Sequence, residues 1–499
     1  MRLEINQNIT AMLQQDDTRS LLLMDDEKCN GAASFTTSEI LTLPAAPDKK
    51  TVMNNRMHPS TSLTRWLANT SPFWFSVFSA GAAFCLYTCV YALRKTFSAA
   101  TFEGLVYLGI SYKVWIVTFQ VIGYALSKFI GIRVIAELKR EDRKRGILTL
   151  TVVAGISWLL FALVPSPYNM IFPFINGLTL GMIWGMVFAY LEGRRVTEVL
   201  GAGLSVSLIF SSGFVKSVGG LIMANWDTSQ WWMPFVTSCL FAIPLGLFLW
   251  LLDQLPPPSV ADELLRTKRK PMNATERWQF VLTFWPGIIL FILCYMFLTA
   301  FRDFRDNFSA EIWETLGFGS SPEIFTTTEI PASLVVLVIV GCLMRIKSNK
   351  TALMINHVLI MGGLVLVGVS TALFEQTIIT APTWMATTGL GLYLGYVPFN
   401  SIFFDRLLAA FRYIGTVGFV MYLADSFGYL ASVGVLFYKE FGQPDATWLG
   451  FMINSGYWLS GLGLLLIGGS MIYFHLKHRH MARMAPDSFV PGLSFNATK

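Results

Sequence analysis

The chain has 499 residues, of which 54% are hydrophobic and only 14% charged, with a formal net charge of +6. A soluble domain carries roughly a quarter charged residues and far fewer apolar ones, so this composition excludes an ordinary soluble protein. The net charge is no nucleic-acid signal until its charges are located, while 40 Phe, 15 Trp and 16 Tyr suit a chain whose solvent is lipid.

Residues 1–70 are rich in Asn, Gln, Thr, Asp and Ser, a composition that buries too little apolar surface to fold alone. We expect a disordered cytoplasmic tail. It lacks the apolar core of a cleavable signal, so the first spanning helix is expected to act as the insertion signal. From Pro72 onward twelve apolar runs follow, at about 73–93, 112–134, 146–164, 168–190, 198–223, 232–252, 279–301, 324–345, 351–374, 382–404, 413–437 and 449–475. Each matches the roughly 20 residues needed to cross about 30 Å of hydrocarbon. The expected fold is an all-α polytopic membrane protein with twelve transmembrane helices in two six-helix halves, over residues 71–252 and 278–476. A Pro-rich linker, 253–277, separates the halves, and 477–499 form a C-terminal tail.

Lys and Arg set the orientation. They crowd the loops after the even-numbered runs, as in Lys139, Arg140, Arg143, Lys144 and Arg145, or Arg266, Lys268, Arg269, Lys270 and Arg277. The other side carries Lys95, Lys113, Arg305 and Lys439, with Arg94 and Arg302 where the first and seventh runs end. This alternation places both termini in the cytoplasm of a cell membrane. Asp303, Asp306, Glu311, Glu314 and Glu323 lie between the seventh and eighth runs and read as a solvated acidic loop.

A charge inside a bilayer costs at least a few kcal/mol and faces a cavity or a partner. The basic candidates are Arg94, Lys128, Lys216, Arg302 and Arg305; the acidic ones are Glu329 and Asp425. Cations predominate, so a shared cavity would favour an anion, for which Arg offers a planar fork and Lys a point charge. The bland readings are snorkelling for the arginines and a structural pairing for Lys128. Asp425 fits a proton site, a helix-pairing group or a counter-ion. Gly177, Gly181 and Gly185, and Gly389, Gly391 and Gly395, mark tight helix crossings. No GxSxG, HExxH or P-loop occurs, and no Cys or His pattern suggests a metal or cofactor.

Several segments are similar to the organophosphate:phosphate antiporter family of the major facilitator superfamily. Tyr91-Ala-Leu-Arg94-Lys95-Thr-Phe97 resembles that family's first-helix motif, whose Arg binds phosphate. Gly123-Tyr124-Ala-Leu-Ser127-Lys128-Phe129 resembles its second-helix stretch. Gly181-Met182-Ile-Trp184 and Gly415-Thr416…Phe427-Gly428-Tyr429-Leu430 are similar to fourth- and eleventh-helix motifs, and Lys216 takes the place of a substrate-site His. The resemblance implies that Arg94 and Arg302 clamp an anion, that Lys216 and Lys128 add charge, and that Lys95 pairs with Glu329; Arg305 joins the candidate anion site on its charge and position alone. The Gly-x-x-Ser-Asp-Arg loop after the second run is missing, Asn307 stands where an Asp is expected, and Asp425 matches no family position, so the chain reads as a divergent relative.

The expected function is a secondary active transporter that moves a small organic anion, a phosphate ester or carboxylate, by alternating access. It needs no cofactor, binds no nucleic acid and works as a monomer in the lipid bilayer. The alternative is a transporter-like receptor that binds the anion without turnover and signals to a partner.

Overall fold

Helix starts follow local capping chemistry. The Thr61 hydroxyl accepts the Thr64 amide at the head of α1 (Ser62–Asn69), and Ser71 with Pro72 at the first position opens α2 (Pro72–Lys95), where the missing N–H of proline costs nothing. The computed structural model describes residues 61–192, 194, 196–258, 274–343, 345–411 and 417–484, all within one compact unit, Pro59–Lys499. The expectation of disorder over 1–60 lies outside the described residues. Residues 62–69 are a correction: they are helical, because Leu67 is buried and the Thr61 and Thr64 hydroxyls both donate to Gln254 Oε1, at 2.6 and 3.1 Å.

The first half continues with a short hairpin, β1 (Val106–Tyr107) and β2 (Ile110–Ser111), and then α3 (Tyr112–Glu137) and α4 (Arg140–Leu163). The fourth apolar run is divided into α5 (Ile171–Leu180) and α6 (Ile183–Leu191), followed by α7 (Thr197–Trp226) and α8 (Met233–Asp253). The second half opens with α9 (Ala274–Asn307), the short α10 (Ser309–Thr315), α11 (Ile324–Leu343) and α12 (Asn349–Glu375). It ends with α13 (Ala381–Pro398), prolonged by a π-helical turn over Phe399–Phe403 into α14 (Phe404–Ala410), then α15 (Val417–Phe437) and α16 (Trp448–Met484). Two boundaries shift: α9 begins inside the expected linker, and α16 runs past residue 476 into the basic tail.

Among the described residues ten spans are long and apolar enough to cross a membrane; α13 and α15 occupy the two remaining apolar runs. The outward faces carry large apolar side chains, such as Ile243, Leu465 and Trp458, as a lipid-solvated bundle requires. Within the first half α2 packs on α7 and α8, and α3 on α5; within the second α9 packs on α15 and α16, and α12 on α13. The halves meet where α7 packs on α11 and α3 on α15.

Small residues permit the closest crossings. A Cβ on Gly177 would strike the Gln120 carbonyl oxygen, one on Gly181 would lie 2.6 Å from Ser127 Cβ, and one on Gly123 would strike the Phe174 carbonyl, so α3 and α5 touch backbone to backbone. In the second half Gly391 and Gly363 do the same for α13 and α12. His357, deep in α12, is a structural histidine, 2.8 Å from the Leu353 carbonyl and 3.2 Å from Ser470 Oγ.

Candidate functional site

The site begins with a helix end. At Thr96–Ala99 the chain tightens into a 3-10 turn, which deprives the carbonyls of the last α-helical turn of their usual partners. Three buried polar side chains take them up. Gln120 Nε2 donates to the Arg94 carbonyl at 2.7 Å, and Asn176 Nδ2 and Trp158 Nε1 donate to that of Leu93 at 3.0 and 2.5 Å. Gln120 also donates to Asn176 Oδ1 at 3.0 Å. Helices α3, α4 and α5 together hold this end of α2 in place, and so aim Arg94 into the bundle.

Arg94 is 6% exposed, and its guanidinium carbon lies 3.6 Å from the centroid of the Tyr124 ring. Among the described residues no carboxylate pairs with it, and its Nε has no hydrogen-bond partner. Arg302 is placed alike on the second half, 4.0 Å over the Tyr396 ring, with its charge shared at 2.7 Å with the adjacent Asp303. Tyr91 and Tyr429 lie within electrostatic range of both arginines. Tyrosine rings therefore line the region: Tyr124 packs edge-on against Tyr429 at 5.4 Å, and Tyr295 stacks on Tyr396 at the same distance.

The other predicted cations are engaged. Lys216 has three donors and uses all of them, on Asp306 Oδ1 at 2.7 Å, the Asp306 carbonyl at 3.0 Å and Ser309 Oγ at 3.1 Å. Arg305 donates to Glu329 Oε1 at 2.7 Å and to the Met385 carbonyl at 2.8 Å. Gly389 makes room for it, since a Cβ there would sit 2.7 Å from the guanidinium. Lys128 meets Asp425 Oδ2 at 2.5 Å. The expected Lys95–Glu329 pair is corrected by these contacts. Glu329 is taken by Arg305, which reaches it from within the same half, and Lys95 donates instead to Asn307 Oδ1 at 2.6 Å and lies 3.4 Å from Asp306 Oδ2.

Sequence reasoning missed the aspartates. Asp303 and Asp306 are 5% and 6% exposed, because α9 continues to Asn307 instead of ending near residue 301. The available signal was the lack of any Gly or Pro between Arg302 and Leu316, which leaves the helix nothing to stop it. Glu311 is likewise no solvated loop residue: it pairs with buried Lys113 at 2.6 Å, and burial pushes its carboxyl up while the Lys113 ammonium pulls it back. Glu314 and Glu323 are exposed, as expected of an acidic loop.

Ion pairs thus join the halves where Asp306 meets Lys216 and Lys95, where Asp425 meets Lys128, and where Glu311 meets Lys113. The ledger of charge is uneven. Arg94, Lys95, Lys128, Lys216, Arg302 and Arg305 face only Asp303, Asp306, Glu329 and Asp425, so the region is net positive. Among the described residues no group of His, Cys, Asp or Glu could hold a metal ion.

The bundle has the major facilitator fold. The crystal structure of a D-xylose-proton symporter superposes with a TM-score of 0.55 at 16% identity, covering 80% of this chain and 97% of that one. The nucleoside transporter NupG superposes with a TM-score of 0.54, also at 16% identity, over 83% of this chain and 99% of that one. At such identities the likeness establishes the fold alone. No curated protein matches the chain in sequence. Residues 96–477 match a family described as a family of unknown function, DUF5690, and the chain belongs to that family.

Proposed function

We propose that the protein is a secondary transporter of a small organic anion, a phosphate ester or a carboxylate. The observation that carries this reading is Arg94: a buried guanidinium at the meeting of the two halves, stacked on Tyr124, with no carboxylate among the described residues to neutralise it. A charge left unpaired at this depth costs several kcal/mol, and an anion entering between Arg94 and Arg302 removes that cost. Arg302 gives the second half's share of the clamp, the lining tyrosines offer hydroxyls and ring faces, and the fold has the two-half construction in which one half rocks against the other about a central site. Lys216, whose three donors are occupied, and Arg305, held by Glu329 and the Met385 carbonyl, act here as the framework of the site. Lys128 becomes available to the anion only when it leaves Asp425. The likeness to sugar and nucleoside transporters supports the transport reading, and the uneven charge supports an anion over a neutral sugar or nucleoside. We place the protein in the cell membrane with both termini cytoplasmic, on the distribution of Lys and Arg.

The test is thermal stability of the purified protein against inorganic phosphate, phosphate esters, carboxylates, neutral sugars and nucleosides, repeated with Arg94→Ala. A ligand that binds only the folded state raises its melting temperature, by about 2.7 kcal/mol of stability at a hundred times Kd. Stabilisation by an anion that vanishes in the variant is the expected result. A response confined to neutral sugars or nucleosides would sink the anion reading and keep the fold.

A further inference from the structure

The carboxylates Asp303, Asp306, Glu329 and Asp425 are not held alike. Asp303 accepts from Arg302 and from Ser432 at 2.9 Å, and Glu329 from Arg305, all within the second half. Asp306 bridges the halves but answers two lysines, with Ser212 and Tyr91 as further donors. Of these four, Asp425 rests on a single ammonium from the opposite half, and does so inside the bundle, whereas Glu311 meets its Lys113 near the helix ends. Lys128 of α3 meets its Oδ2 at 2.5 Å, and the Tyr295 hydroxyl of α9 donates to its Oδ1. Asp425 is 4% exposed, whereas the Lys128 side chain is 21% exposed, and a shallow recess lined by Ala125, Lys128, Phe129, Asp425, Ser426 and Tyr429 opens beside the pair.

We infer that Asp425 is a proton-coupling carboxylate, so that the anion travels with a proton; this rests on the transporter reading above. When the halves separate along α3 and α15, Lys128 leaves with its half. Asp425 is then a carboxylate in an apolar setting without its counter-charge, and such a group takes up a proton from water. One O–H bond forms on the carboxylate, the proton is carried, and it is returned to water when Lys128 comes back. The groups facing Asp425 do not replace the lost charge. They are Tyr124 of α3 beside Lys128, Tyr295 of α9, Tyr396 of α13 stacked on Tyr295, and Tyr429 on the next turn of α15. Protonation also frees the Lys128 ammonium, adding a cation near the Arg94 and Tyr124 stack. Proton and anion therefore favour each other's binding, and linkage makes that coupling reciprocal.

Infrared difference spectra of the full chain in liposomes, wild type against Asp425→Asn, read this carboxyl with no ligand present. We expect a protonated-carboxyl band that grows on acidification, is absent from Asp425→Asn, and persists at neutral pH in Lys128→Met. The double variant Lys128→Met with Asp425→Asn, which leaves no unpaired charge, serves as the folding control. No such band at any pH at which the protein stays folded overturns the inference. In proteoliposomes with labelled glycerol 3-phosphate as the probe, a gradient of one pH unit sustains about ten-fold accumulation for one proton per anion. Asp425→Asn should lose that accumulation and still exchange labelled for unlabelled probe. Equal stimulation of both proteins by the gradient overturns the coupling role. A chain that shows the band yet moves neither glycerol 3-phosphate nor a carboxylate control sinks the anion reading and upholds the protonation of Asp425.

Discussion

Asp306 of α9 and Lys216 of α7 meet at 2.7 Å across the junction of the two halves, and Asp306 also lies 3.4 Å from the Lys95 ammonium. One carboxylate thus answers two buried lysines from the opposite half, near the ends of α2 and α9. Removing it leaves both ammonium groups without a counter-charge, while removing Lys216 as well leaves only one.

Asp306→Asn is therefore expected to destabilise the purified protein by about 3 kcal/mol or more, the usual cost of breaking a buried pair from one side. The double variant Asp306→Asn with Lys216→Met should recover a large part of that loss. Melting curves of Asp306→Asn, Lys216→Met and the double variant check it, and strictly additive losses would show that the pair contributes no coupling.

The twelve apolar runs were legible in the sequence because lipid imposes length and hydropathy on each span without reference to its neighbours. Arg94 and Lys216 stood out for the same reason, as charges where none belongs. The partners were not legible. That Glu329 faces Arg305 and leaves Lys95 to Asn307 depends on helix rotation and on the extension of α9 to Asn307, which no local pattern reports. The role of Gln120, Asn176 and Trp158 was equally hidden, since they serve a carbonyl row that exists only because α2 ends in a 3-10 turn. Tyr124 lies in a motif the sequence offered, yet its ring stacked under Arg94 is a property of packing.

The close α3–α5 crossing makes a contrast between two glycines. Gly177→Ala would drive a methyl group into the Gln120 carbonyl and to 2.9 Å from the Tyr124 amide, whereas a Cβ on Gly155 meets nothing within 4 Å. Backbone cannot yield as a flexible side chain does, so Gly177→Ala is expected to cost about 1–3 kcal/mol and to disturb Arg94 through Gln120. Gly155→Ala should be neutral or mildly stabilising, since alanine is the better helix former. Folded yield and melting temperature of the two variants decide it, and equal behaviour would refute the crossing.

Tyr124 holds Arg94 by its ring face, with the guanidinium 3.6 Å from the centroid. Tyr124→Phe keeps that face and should bind the stabilising anion within a few-fold of wild type. Tyr124→Leu removes a desolvated cation–π contact of about 2 kcal/mol and should weaken binding more than ten-fold, because Arg94 then keeps only the more distant Tyr91 ring, 5.9 Å away, to fix its plane. Titration of the anion against melting temperature separates the two. Equal weakening by both substitutions would instead assign the role to the hydroxyl.

Arg94 itself gives the sharpest contrast with Asp306. An unpaired buried cation retained for a ligand burdens the empty protein, as functional groups commonly do. Arg94→Met keeps the length and apolar stem of the side chain and removes only the charge. Without ligand the variant should therefore melt higher than wild type, by the equivalent of about 1 kcal/mol or more, and should lose all response to phosphate esters and carboxylates. The measurement is a pair of melting curves, with and without anion, for each protein. A variant less stable than wild type would mean that Arg94 is a structural partner already satisfied by its tyrosines, and the positive charge between the halves would then need no anion to balance it.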